Sequence, residues 1–384
     1  MIEGCTDAAK GDITIPDKIN NMRVLKIAEN AFKENKKIAK VTIPASIGTI
    51  GAFAFADTSI NEVIFNKTDF EVSIGIEAFG QCNNLTKVTV NRPLNNISES
   101  MFQECRKLTT LNLQYPVANI HKYAFLNCTS IGYIDFKGNV KYIGTDAFRD
   151  CTSLQTVKIA GEKSCSEMQY ASEIGKNAFC NCTSLDSIMI PGSVETIKEN
   201  AFENCTNLLS LRIEKGVKNI EKNAFINCSK LSTAQIAGNI DEDSFSKCPN
   251  IRYLTVVSGK IDNKAFAFRN KLIEVDIKSD VESVGEKAFI FCDNLRKVTV
   301  SAKKIENSAF SLCRNLETAI ITKDVESIVN NAFLGSDKVR IHVYKDSVAE
   351  KYVRKNNLKY IVVDVKPIVS AKINNTQRQL TYSI

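Results

Sequence analysis

Apolar residues recur at one fixed set of spacings along most of this chain. The clearest series is fourteen phenylalanines, most often 23 residues apart: Phe32, Phe55, Phe79, Phe102, Phe125, Phe148, Phe179, Phe202, Phe225, Phe245, Phe266, Phe289, Phe310 and Phe333. Ile or Val stands five residues before each phenylalanine, and each unit ends with two apolar residues that are separated by one polar residue. That alternation predicts a half-buried strand in every unit.

A unit this short cannot enclose its own apolar side chains, so the units must stack on one another. The pattern predicts a solenoid of about 14 coils of ~23 residues, with a parallel β-sheet on one face. The segment around each phenylalanine is too short for a helix, which predicts turns or 3₁₀ segments on the other face.

The unit, as in IGTDAFRDCTSLQTVKI over residues 143–159, resembles the BspA-like leucine-rich repeats found on the surfaces of many bacteria and some parasitic protists. The resemblance covers roughly residues 13 to 345. It implies a leucine-rich repeat solenoid in a secreted or cell-surface protein that acts in adhesion. It implies no catalytic residues.

The two ends must cover the exposed coils of the core. Residues 1–26 are interpreted as an N-terminal cap and 27–345 as the solenoid. Residues 346–365 are interpreted as a cap helix and a strand, because Ser347 to Glu350 form a capping box. Residues 366–384 are expected to be a tail toward a further domain, since no signal peptide or membrane span is recognisable and the chain is interpreted as a fragment.

Composition and charge exclude several kinds of site. The net charge of +7 is spread over 50 basic and 43 acidic residues with no basic run among stacking aromatics, so no nucleic-acid partner is expected. The two histidines, His121 and His342, occupy separate repeat positions, and no glycine-rich phosphate loop is present. We therefore predict no enzyme activity, no metal and no cofactor.

Ten of the 13 cysteines occupy one position, three residues after the phenylalanine. A cysteine repeated in this way is typical of a small buried apolar residue, and a column of free thiols is favoured over a disulfide ladder. Cys5, Cys165 and Cys180 lie outside the column, and a Cys165–Cys180 disulfide stays an alternative.

The outward positions of the strands are the candidate binding surface. Exposed polar β-branched residues are common there, as strand propensity alone would favour. An insertion at residues 160–171 lies beside strands that carry outward amphipathic side chains. The predicted binding residues are Tyr133, Lys158, Met168, Tyr170, Met189, Arg212 and Tyr253.

The sequence thus favours a non-enzymatic binding or adhesion module whose partner is a protein or glycan of a host matrix, a host surface or a neighbouring cell. The alternative is a structural spacer that holds another domain away from the cell surface. A spacer should have interchangeable strand faces, whereas an adhesin should have a localised patch. The oligomeric state is left open by the sequence.

Overall fold

The alternating strand of each repeat pairs in parallel with the same strand of the next repeat, as Val41, Val63 and Val88 do in successive coils. The computed structural model describes residues 1–5, 9–138, 140–159 and 172–363. It has the predicted solenoid fold. We call these strands the long-strand ladder. Its members are Gly11–Thr14, Ile38–Ile43, Glu62–Phe65, Lys87–Val90, Thr110–Leu113, Tyr133–Asp135, Thr156–Lys158, Ser187–Ile190, Ser210–Ile213, Thr233–Ile236, Tyr253–Ile261, Glu274–Val284, Lys297–Val300, Thr318–Ile321, Arg340–Tyr344 and Tyr360–Val363.

A second parallel ladder, which the sequence pattern did not predict, is built from strands of two residues. Each ends at the Ile five residues before the ladder phenylalanine, and we call the series the short-strand ladder. In coils 253–261 and 274–284 one continuous strand joins both ladders. The separate members are Lys26–Ile27, Thr49–Ile50, Ser73–Ile74, Asn96–Ile97, Asn119–Ile120, Tyr142–Ile143, Glu173–Ile174, Thr196–Ile197, Asn219–Ile220, Asn239–Ile240, Lys304–Ile305 and Ser327–Ile328.

The ladder phenylalanines form the centre of the core. None of the fourteen is more than 5% exposed. Consecutive rings lie 4.8–6.0 Å apart between centroids. The insertion does not interrupt this column, because Phe148 and Phe179 still stack at 4.8 Å. Long connections are tolerated where the coils on both sides can pack directly.

Turns surround each phenylalanine, and no 3₁₀ helix occurs in the described part of the chain. In most coils the residues two before and two after the ring have positive φ, such as Asn200 and Asn204 at 58° and 59°. The amide of the phenylalanine donates to the carbonyl of the residue that precedes the phenylalanine of the next coil, as from Phe202 to Ala224 over 2.7 Å. Asparagine suits these positions because it tolerates the left-handed conformation.

The column of cysteines satisfies one backbone carbonyl per coil. Each of its ten thiols donates to the carbonyl of the phenylalanine in the preceding coil, over 3.0–3.4 Å. Where cysteine is absent, Ser336 donates to Phe310 over 2.8 Å and Arg269 to Phe245 over 2.9 Å. The position therefore selects a hydrogen-bond donor, a requirement beyond the apolar character that the sequence indicated.

We expect the cysteines to be reduced and unreactive in the native protein. All cysteines of the described residues are free. Burial raises the pKa of the Cys82 thiol to about 11 and raises that of Cys105 well above its ordinary value. Since the thiolate is the reactive form, thiol titration near neutral pH should find few groups before denaturation and close to 13 after it, without reductant. If the number of thiols titrated after denaturation is two below 13, a Cys165–Cys180 disulfide is indicated. Cys165 lies outside the described residues.

The two ends close the core differently. At the start, Lys18–Ile19 and Met22–Arg23 form an antiparallel hairpin beside strand Gly11–Thr14, which pairs with Ile38–Ile43. At the other end, the predicted helix is present as Val348–Lys355, with Ser347 Oγ accepting from the amide of Glu350 over 3.1 Å. The predicted tail, residues 366–384, lies outside the described residues.

Candidate binding surface at the interrupted sheet

The long-strand ladder is interrupted once, between its fifth and sixth strands. No backbone pairing joins Thr110–Leu113 to Tyr133–Asp135 within the described residues, whereas the short-strand ladder continues through Asn119–Ile120 at this level. The interruption leaves a cavity of about 360 Å³, which we call the strand gap. Its lining includes Thr110, Asn112, Gln114, Tyr133, Asp135 and Lys137.

The predicted residue Tyr133 lies at the edge of the strand gap and is 49% exposed. The ammonium of Lys158 lies 5.6 Å from the centroid of its ring, in a cation–π contact. Its interactions with Tyr133 and with Asp135 raise the pKa of Lys158. The structure therefore brings two of the predicted binding residues into contact.

The carboxylate of Asp135 lies on the polar side of the strand gap and is held there by Lys137. The amide of Lys137 donates to it over 2.9 Å and the Lys137 ammonium over 3.1 Å. Burial raises the pKa of Asp135, but these hydrogen bonds outweigh burial and leave the pKa below its ordinary value. The gap thus brings together a carboxylate, an aromatic ring and amide groups.

The remaining described residues of the predicted patch lie further along the ladder. Met189 is 42% exposed and is the register partner of Arg212, whose guanidinium lies 3.3 Å from Glu214. Tyr253 is 45% exposed and pairs with Thr233, so it is separated from Arg212 by an intervening strand. Met168 and Tyr170 lie outside the described residues. The sequence could not indicate the strand gap, because Thr110 and Asn112 fit the repeat like any other outward pair.

Comparison with known proteins settles the family. The model of the BspA type leucine rich repeat region matches residues 11–72, 68–172, 163–267 and 238–359. This chain belongs to the BspA-type leucine-rich repeat family. In this BspA-type solenoid the repeat prescribes the buried positions, and the outward positions vary from coil to coil.

Three solved structures are similar to this BspA-type chain. A leucine-rich repeat protein from Bacteroides ovatus is 22% identical over 92% of each chain, with a TM-score of 0.42. A leucine rich cell surface protein from Faecalibacterium prausnitzii is 21% identical over 90% of each, with a TM-score of 0.33. The pneumococcal vaccine antigen PcpA is 20% identical over 94% of this chain and 90% of its own, with a TM-score of 0.43. Comparison with curated proteins finds no match.

Two further observations on this BspA-type chain concern metals and membranes. The described residues contain no cluster of three or more His, Cys, Asp or Glu side chains that could hold a metal ion. Within the same part of the chain, no helix has both the length and the apolar character needed to cross a membrane.

Proposed function

We propose that this chain is a non-enzymatic binding module of a secreted or cell-surface protein, and that its partner is a protein or glycan of a host or neighbouring cell. The strand gap and the outward residues beside it form the proposed contact surface. The observation that supports the proposal most is the interruption of the long-strand ladder, where Tyr133, Asn112 and Asp135 line one cavity.

The chemistry of the gap suits a polar ligand with a flat or ring-shaped apolar side. An exposed tyrosine offers an apolar face with a hydrogen-bonding end, and such residues are enriched at interfaces. The side chains of Asn112 and Asp135 line the same cavity. Because these groups stand on strands of a rigid stack, little conformational entropy is lost when a ligand binds.

The test is saturation binding to a panel of immobilised matrix proteins and glycans. Removing the aromatic face and its cation in Tyr133→Ala/Lys158→Ala should weaken binding about tenfold or more, as for a central aromatic contact. Met189→Ala/Arg212→Ala, on the next strands, should weaken it less. Deleting residues 162–170, which contain Met168 and Tyr170, tests whether the insertion contributes.

Glu274→Ala/Asp276→Ala is the matched control, because these outward residues stand in the same two columns of the ladder several coils away. Their ion pairs with Lys297 and Lys278 are on the surface and stabilise the fold little. An equal loss of binding in this control, or undiminished binding by Tyr133→Ala/Lys158→Ala, would contradict the proposal and favour the spacer.

A further inference from the structure

A second cavity, at the N-terminal end of the solenoid, encloses a buried arginine. Its volume is about 520 Å³, within the range of about 300–1,000 Å³ of small-molecule pockets. It lies where the loops after strands Ile38–Ile43, Glu62–Phe65 and Lys87–Val90 meet the hairpin, and we call it the Arg92 cavity. Its lining residues used below are Arg92, Ser46, Lys18, Arg23, Leu25 and Phe70.

The guanidinium of Arg92 is held rigidly but only partly satisfied. Arg92 is 1% exposed. Its Nε donates to the carbonyl of Phe70 over 3.2 Å and its Nη1 to that of Ile47 over 2.7 Å. Of the five N–H donors of an arginine these contacts use two, and Nη2 has no hydrogen-bond partner among the described residues. The end of the fork, which suits a carboxylate with two oxygens, therefore has an unused buried donor.

The charge of Arg92 is not paired within the described residues. Burial lowers the pKa of Arg92, and no carboxylate of the described residues raises it or forms an ion pair with it. Lys18 and Arg23 are direct partners in the hairpin and line the same cavity, where like charges opposite one another are destabilising. Among the described residues Asp17 is the one acidic residue of the lining, so cations outnumber anions there by three to one.

The rest of the lining adds a donor and an apolar rim. The hydroxyl of Ser46 is buried and, among the described residues, has no partner. Leu25 and Phe70 both line the cavity and are 58% and 77% exposed. A simple inorganic anion would use the guanidinium and the hydroxyl but would leave this rim unused.

We propose that the Arg92 cavity binds a carboxylate attached to an apolar group, with Arg92 and Ser46 on the carboxylate and with Leu25 and Phe70 against the apolar group. The carboxylate supplies the counter-ion that the buried guanidinium lacks. Such a group occurs at the C-terminus of a peptide that ends in an apolar residue and in free aromatic or aliphatic acids. The site is separate from the strand gap, so either proposal can fail without the other.

Calorimetric titration with 3-phenylpropionate tests the proposal, with 3-phenylpropionamide and inorganic phosphate as comparison probes. We expect the acid to bind, the uncharged amide to bind at least about tenfold more weakly, and phosphate to bind more weakly than the acid. A peptide ending in phenylalanine, with a free or an amidated C-terminus, distinguishes the two sources. Tighter binding of the free-ended peptide than of 3-phenylpropionate assigns the site to chain ends, and the reverse order assigns it to small acids.

Arg92→Gln should abolish binding, but it can also disturb the loops that Arg92 holds together. Ser46→Ala leaves Arg92 in place and should raise the Kd of the acid about tenfold, the effect of losing one hydrogen bond to a charged group. Ser193→Ala is the matched control, because Ser193 is also buried without a described partner and stands fourteen residues after its phenylalanine, as Ser46 does. Equal binding of acid and amide, no binding of the acid at millimolar concentration, tighter binding of phosphate, or an unchanged Kd in Ser46→Ala would overturn the proposal.

Discussion

Replacing Phe202 by alanine should lower the free energy of unfolding by about 3–5 kcal/mol, the cost of emptying a large buried aromatic site. Phe202 has no exposed surface and stacks on Phe179 at 4.9 Å and on Phe225 at 4.8 Å. The cavity left by the ring would weaken the packing of this coil against both neighbouring coils. In a stacked array each such interface contributes directly to stability. Denaturant titration of variant and wild type in parallel measures the difference.

Thr156→Ala is the control for this substitution, because Thr156 faces outward on the long-strand ladder, in register with Tyr133 and Ser187. Its loss should cost well under about 1 kcal/mol, as for most surface positions. Similar losses in the two variants would mean that the phenylalanine column is not the centre of the core.

Replacing Gly144 by alanine should destabilise the protein by about 3 kcal/mol or more, the upper range for overpacking. A Cβ at this position would lie 2.4 Å from the backbone nitrogen of Lys122 and 2.8 Å from the carbonyl carbon of His121. Both neighbours are backbone atoms of the preceding coil, held by the short-strand ladder, so neither can turn aside as a flexible side chain could. Thermal and denaturant unfolding of the variant will measure the effect.

Gly132→Ala, in the preceding repeat unit, is the matched control. Its added Cβ would approach no described atom outside its chain neighbours more closely than the carbonyl oxygen of Ser153, at 3.7 Å, an ordinary contact. The change should be within about 1 kcal/mol of neutral and can be stabilising, because alanine restricts the unfolded chain. A loss at Gly144 no larger than that at Gly132 would show that neighbouring coils can separate without cost.

The repeat predicted the long-strand ladder, the buried phenylalanines and the cap helix because each leaves a spacing signal of several residues. The short-strand ladder left none: two residues such as Thr49 and Ile50 are too few to display an alternation. The hydrogen-bonding role of the cysteines was also hidden, because a thiol and a methyl group fit the same spacing. Only the observed contact, as from Cys128 to Phe102 at 3.0 Å, distinguishes them.

The candidate surfaces were predicted less completely. Outward exposure of Tyr133, Met189 and Tyr253 follows from strand alternation, and the structure places all three outside the core. The strand gap depends instead on a missing pairing between two coils, which no single repeat encodes. Arg92 was missed because it follows a strand in a loop, where an arginine is ordinarily solvated.

The backbone hydrogen bonds that join the turns around successive phenylalanines all run in one direction along the stack. The amides of Asn30, Phe32 and Glu34 all donate toward the next coil, and the following coils repeat the arrangement. The peptide dipoles of these turns, about 3.5 D each, therefore align along this side of the stack, while amides elsewhere in the coil, such as that of Gly51, donate toward the preceding coil. At the last coil this series ends against the cap helix, where the rings of Phe333 and Tyr352 lie 6.5 Å apart between centroids and burial raises the pKa of Tyr352.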